Sequence, residues 1–210
     1  MKEIIKDLNW RYATKKFDTT KKVSPEDLNT LLEATRLSAS SYGLQPYHIF
    51  VVENKEIRER LKPHSWNQSQ ITDASHLLIF SSRQDFGEEL IDEYLANVMQ
   101  TRGLPGEAIK GYSEFMKSKL MSLSDTDKSI WTSRQAYIAL GNLMTVAASL
   151  KIDTCAMEGF ESEKYDEILG LEDQDLTTTV VLAIGYRSSS DETQHLAKVR
   201  HPKEKLFTHI

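Results

Sequence analysis

Three cations, Arg11, Lys15 and Lys16, fall within NWRYATKKFD (Asn9–Asp18), with Tyr12 and Phe17 interleaved. A helix continued through this stretch would carry Arg11 and Lys15 on one face, four residues apart. Arginine offers a fork matched to phosphate oxygens, and lysine a movable point charge. A solvated helix face is the plainer reading, but Tyr12 and Phe17 suggest that the turn docks against the body. Lys198 and Arg200 form a second pair, in LAKVRHP near the C-terminus. Two apart in an extended chain, they face the same side. The third feature is the loop Ala39-Ser40-Ser41-Tyr42-Gly43-Leu44-Gln45-Pro46-Tyr47, whose small residues and hydroxyls permit close backbone approach and hydrogen bonding. The fourth is Glu158-Gly159 in CAMEGF, which offers backbone N–H groups and a carboxylate. Each of the last two also reads as an ordinary turn.

Other chemistries lack their residues. The six histidines are scattered, with no H-E-x-x-H or C-x-x-C, so a metal site is not expected. His76 opens an apolar run and reads as a satisfied core residue. Cys155 is the sole cysteine; with no histidine placed beside it, it reads as an inert buried thiol. There is no G-x-S-x-G elbow, no G-x-G-x-x-G after a strand and no phosphate-binding G-x-x-x-x-G-K-[ST].

The elements that must position these residues read as follows. Residues 3–13 suit a short amphipathic helix with Ile4, Ile5, Leu8 and Tyr12 at helical spacing. Ser24-Pro25-Glu26-Asp27 starts a helix that reaches Leu37. Tyr47–Val52 reads as a strand, Lys55–Leu61 as a helix capped by Asn54, and His76–Ser82 as a strand buried on both faces. Residues 86–123 read as helix interrupted at Gly103-Leu104-Pro105-Gly106, a surface excursion rather than core. A helix from Ser124-Asp125 to Leu150 is apolar around nearly its whole circumference, which calls for a buried central helix or a dimer core. Ser162–Leu169 is a short helix ending at Gly170, and Thr177–Tyr186 the strongest strand. Residues 187–210 form a polar extended tail. Strands scattered among helices favour one α+β domain over 1–210, with a doubly wound sheet as the alternative.

The 210 residues carry a net charge of −5, so no nucleic-acid partner is expected. The lone cysteine, the absence of an apolar leader in MKEIIKDLNW and the lack of a membrane-length apolar run point to a cytoplasmic protein with no membrane partner.

In this order the motifs resemble the FMN-dependent NAD(P)H nitroreductase family, in its branch of small oxygen-insensitive nitroreductases and quinone or dihydropteridine reductases. RYATKKFD is similar to the family's R-x-S-x-[KR]-x-[FY]-D opening. SASSYGLQPYHIFVV is similar to its P-S-S-x-N-x-Q-P-W loop and strand, and DASHLLIF, CAMEGF and the late K-x-R fall where the family has them. The resemblance implies an α+β homodimer with a central mixed sheet packed by helices and FMN at the subunit interface. It implies that Arg11, Lys198 and Arg200 hold the FMN phosphate, flanked by Tyr12 and Ala13. Lys15 would approach the N1/O2 edge of the flavin and stabilise its reduced anion. Ser40, Ser41 and Gly43 would come from the neighbouring subunit. Asn67 would contact the ring, and Glu158 and Gly159 would bring N–H groups to its N5/O4 side. No side chain need be catalytic, because flavin N5 takes hydride from NADH or NADPH in ping-pong fashion and passes it to a nitroaromatic, quinone or pterin-like acceptor. Phe115, from the excursion, would stack over that acceptor. Four positions depart from the family pattern: Ala39 for proline, Gly43 for asparagine, Ala13 for serine, and Gln70 for a lysine near the flavin edge. A non-catalytic flavin-binding module and a flavin-destroying or dehalogenating relative on the same fold are the alternatives.

Overall fold

The computed structural model describes residues 1–210, the side chain of Glu172 excepted. The elements are α1 (Glu3–Trp10), α2 (Pro25–Arg36), β1 (Tyr47–Val52), α3 (Lys55–Leu61), α4 (Gln70–Asp73), β2 (His76–Arg83), α5 (Glu88–Arg102), α6 (Lys110–Leu120), α7 (Asp125–Ser149), β3 (Asp153–Met157), α8 (Ser162–Leu169), β4 (Leu176–Gly185) and α9 (Lys203–Leu206). Local chemistry sets several boundaries. The hydroxyls of Ser24 and Ser124 accept from the amides of Asp27 and Asp127, and the Asn54 side chain accepts from Ile57 N–H, so α2, α7 and α3 begin on capped turns. Gly170 ends α8 in the left-handed conformation.

The sheet runs β1-β2-β4-β3, every pair antiparallel, so the expected mixed sheet is corrected within an α+β architecture. A single parallel bridge, Ala13 to Thr154, lies outside the named strands. The strand β3 has no counterpart in the sequence reading, because five residues ending in Met157 carry too short a pattern.

Alternation along β2 and β4 divides the core in two. Leu78, Phe80, Val180, Leu182 and Ile184 pack with Ala136, Ala139, Leu140, Leu143 and Ala147 of α7 and with α2. Leu77, Ile79, Val181 and Ala183 face the opposite way, against Leu61, Tyr165, Cys155 and Met157. Helices therefore cover both faces of the sheet, which is why β2 reads as an unbroken apolar run. His76 and Cys155 are core residues, as their apolar surroundings suggest.

Two expectations are modified. The excursion is more than surface, since Leu90, Ile91, Leu95, Met116 and Leu120 close a small core with Leu44 and Phe86. The helix α7 is buried along one side only. Ile130, Tyr137 and Ile138 are exposed, as are Ile4, Ile5 and Leu8 of α1. Among the described residues no helix is long and apolar enough to cross a membrane, and no cluster of His, Cys, Asp and Glu is grouped to hold a metal.

Candidate functional site

The helix α1 stops at Trp10, and the backbone at Arg11 is already extended (φ −69°, ψ 142°), so Arg11 and Lys15 do not share a helix face. Tertiary pairing overrides the helical spacing. The Thr14 amide donates to Thr154 of edge strand β3, and on the other side Asp18 N–H bonds Tyr186 and Ser188 N–H bonds Lys16. Residues 13–18 are thus held between the sheet edge and the start of the tail, with Phe17 buried against the core.

One buried carboxylate fastens this arrangement. Asp191, 1% exposed, accepts from the Tyr12 hydroxyl (2.9 Å), the Lys15 amide (2.8 Å), the Lys16 amide (3.1 Å) and the Thr193 amide (3.0 Å). Burial by itself would raise its pKa, but the four donors prevail and hold it down to about 2. Burial first, and then the hydrogen bond to Asp191 and its charge, push the Tyr12 phenol well above its ordinary range.

Arg11, Tyr12, Ala13, Lys198 and Arg200 line one cavity of about 370 Å³, together with Trp10, Thr193 and Leu196. Lys198 Nζ donates to the carbonyls of Leu8 and Arg11, which ties the tail to the end of α1. Arg11 Nε is buried and has no hydrogen-bond partner among the described residues. Burial, and then Arg200, lower the Arg11 pKa; burial, and then Arg11 and Arg200, lower that of Lys198. Arg11 and Lys198, each disfavoured by burial and by a neighbouring cation, stand with Arg200 beside this N–H, an arrangement whose chemistry could hold an anion.

The remaining candidates fall into two groups. Lys15, Gln70 and Arg11 surround the Cys155 thiol: burial raises its pKa, while the charge of Lys15, the Gln70 amide and the charge of Arg11 lower it. Next to them, Gly159 meets the loop that carries Asn67. A Cβ at Gly159 would stand 2.5 Å from the Trp66 ring, so only glycine admits this contact. Gln68 Nε2 donates to the Gly159 carbonyl (3.1 Å), and Glu161 N–H bonds His64. Asn67 is exposed at φ 55°, and Glu158 accepts from the Tyr137 hydroxyl at 2.6 Å. Burial, followed by that bond, pushes the Tyr137 phenol up to about 12.

The second group stands apart from the cavity. Ser41 N–H bonds Gln135 of α7, and the Ser40 hydroxyl accepts from Gln45 N–H. Gly43 sits at φ 80°, where a Cβ would lie 2.7 Å from the Tyr94 hydroxyl. Positive φ and this contact explain why glycine replaces the asparagine of the expected pattern. Phe115 lies near Tyr42 of the same loop, ring centroids 6.5 Å apart. None of Ser40, Ser41, Gly43 and Phe115 lines the cavity that holds Arg11.

Sequence reasoning missed Trp66, Tyr137, Asp153, Arg187 and Asp191. Trp66, beside Asn67, carried a usable signal as a large aromatic in a polar loop. The other four gain their roles through partners distant in sequence, and nothing local marks them.

The pattern of the Nitroreductase family matches residues 8–186. A Staphylococcus epidermidis protein that bears the name NAD(P)H nitroreductase is 39% identical over 217 residues, covering 99% of this chain and 96% of its own. A Bacillus subtilis nitroreductase structure superposes with a TM-score of 0.89 at 21% identity, covering 99% of each chain. A nitroreductase from Exiguobacterium sibiricum, solved in complex with FMN, superposes with a TM-score of 0.84 at 20% identity, covering 100% of this chain and 98% of that one. At such identities the two structures speak for the fold alone.

Proposed function

The chain belongs to the nitroreductase family, and from that premise we propose that it is an FMN-dependent oxidoreductase using NADH or NADPH, with the FMN phosphate seated among Arg11, Lys198 and Arg200. The observation that carries this reading is the unpaired, buried Arg11 Nε in a cavity ringed by cations. A phosphate ester of roughly −1.5 to −2 charges relieves all three at once. FMN held there would supply the redox chemistry, hydride transfer from the nicotinamide to an electron-poor nitroaromatic, quinone or pterin-like acceptor in a ping-pong sequence.

The protein's own groups do the rest. Lys15, fixed through its backbone to Asp191, would bring a positive charge toward the flavin and so favour its reduced form. Gln70, where a second lysine would add charge, leaves that effect to Lys15 alone. Asn67 and the Glu158-Gly159 backbone supply polar contacts on the other side. Tyr137 holds the Glu158 carboxylate at 2.6 Å and limits its motion. The exposed Ile4, Ile5 and Leu8 of α1, with Ile130, Tyr137 and Ile138 of α7, support a homodimer. In that dimer Ser40, Ser41 and Gly43 of one copy complete the site of the other, with Phe115 beside them over the acceptor.

The test is a visible spectrum of the purified protein, followed by anaerobic NADH or NADPH. Yellow protein that bleaches is the expected result, and parallel double-reciprocal lines are expected in turnover. Protein that stays colourless after FMN is supplied, or intersecting lines, refutes the cofactor or the ping-pong order respectively.

A further inference from the structure

We propose that Arg187 is a positioning residue for the phosphate end of the cofactor: fixed by Asp153, it gathers Trp10 and Tyr12 on one side of the chain and so turns Arg11 to the other, into the cavity. The inference rests on the reading of that cavity as an FMN-phosphate site.

Asp153 begins β3 and is 3% exposed. Its Oδ1 accepts from Arg187 Nε at 2.8 Å, and its Oδ2 from the Arg187 backbone amide at 2.8 Å. The guanidinium Nη2 stands 2.6 Å from Oδ1. Held in this way, the guanidinium lies against two rings, with Cζ 4.1 Å from the Trp10 centroid and 4.6 Å from the Tyr12 centroid. Arginine suits such a position because its flat cation pairs at its edge and stacks on its faces.

The consequence falls on the residue between the two rings. The backbone at Arg11 is extended, and in an extended chain the neighbours of a residue share one face while it takes the other. Arg187 meets both Trp10 and Tyr12, so the side chain of Arg11 is directed away from it. Arg200, which lines the same cavity, is the cation that lowers the Arg11 pKa after burial. Two further ties keep the strip in place, Asp191 on the Tyr12 hydroxyl and Lys198 on the Arg11 carbonyl. Arg187 sits at the start of the tail that also carries Lys198 and Arg200, so one segment brings two phosphate ligands and orients the third.

The test compares FMN with riboflavin, which lacks the phosphate, in equilibrium dialysis against the cofactor-depleted protein. Arg187→Lys keeps the charge near Asp153 but offers no flat face to the rings. Trp10→Leu removes one ring and leaves the pair intact. Arg187→Gln leaves Asp153 buried without a cation and is expected to lower the melting temperature. Arg187→Lys and Trp10→Leu are expected to weaken FMN about tenfold, the scale of one good hydrogen bond, while riboflavin shifts by less than about twofold. They are also expected to lose most of the thermal stabilisation that inorganic phosphate gives the wild type. Equal losses for FMN and riboflavin would mark a purely structural role and overturn the proposal, as would unchanged FMN affinity in both variants. A wild type that binds neither flavin refutes the cofactor reading instead. Inorganic phosphate then decides on Arg187 alone, and stabilisation retained in Arg187→Lys overturns it.

Discussion

Replacing Asp191 with asparagine tests whether a buried carboxylate holds the basic opening segment in place. Three donors converge on Oδ2, the Tyr12 hydroxyl and the amides of Lys15 and Lys16, while Thr193 N–H meets Oδ1. An asparagine has one oxygen and one NH2, so in either orientation at least one buried N–H faces another donor. The folded-state pKa of about 2 lies below the ordinary 3.8, a difference worth about 2 kcal/mol of stability. The sign is that of a depressed carboxylate. The contribution is fully present above about pH 5, clear of the ordinary 3.8, and is lost as the pH falls toward about 2, where the folded-state group takes up its proton. With a urea dependence of about 2 kcal/mol per molar, the wild type should unfold about 1 M later than Asp191→Asn at pH 6. The assay is a urea titration of both proteins at pH 6, 4, 3 and 2.5, read by far-ultraviolet circular dichroism. Other carboxylates titrate in both proteins, so the informative quantity is the gap between the two midpoints. That gap should be constant above about pH 5 and narrow steadily below pH 4. A gap that does not change between pH 6 and pH 2.5 refutes the reasoning.

Arg11→Gln should weaken FMN by about tenfold or more, read by fluorescence titration, yet leave the melting temperature of the cofactor-free protein unchanged or slightly raised, because it relieves repulsion with Lys198 and Arg200. Gly159→Ala should expel the Trp66 ring, whose atom Cζ3 lies 2.5 Å from the new methyl. Because that ring is exposed and free to swing out, stability should fall by less than about 1 kcal/mol while tryptophan emission shifts to the red. Gly43→Ala combines a positive φ with a 2.7 Å approach to the Tyr94 hydroxyl, so it should cost about 1–3 kcal/mol in urea denaturation; Tyr94→Phe in the same chain should recover part of this. Tyr137→Phe should leave stability within about 0.5 kcal/mol, because the bond to Glu158 is exposed, and should remove one of the two phenols pushed up to about 12, leaving Tyr165, in an ultraviolet pH titration.

The sequence by itself determined the elements whose signals are local. Ser24 with Pro25, Asn54, and Ser124 each cap a helix where a hydroxyl or amide precedes an acidic or apolar turn, and the structure begins α2, α3 and α7 there. The strand Tyr47–Val52 and the buried run from His76 follow from β-branched and apolar residues that have no polar alternation. The cations of the cavity were legible too, because Arg11, Lys198 and Arg200 lie in motifs recognisable along the chain. Only the tertiary structure decided how they meet. Helical spacing put Arg11 and Lys15 on one face, yet α1 ends at Trp10, because backbone pairing of Thr14 with Thr154 outweighs a turn of helix. The groups that fix the site, Asp153 with Arg187 and Asp191 with Tyr12 and Lys15, join residues more than 30 positions apart. Such pairs leave no periodic trace, since each partner alone is an ordinary acid or base on a loop. The contacts acquire energy only when folding removes them from water together.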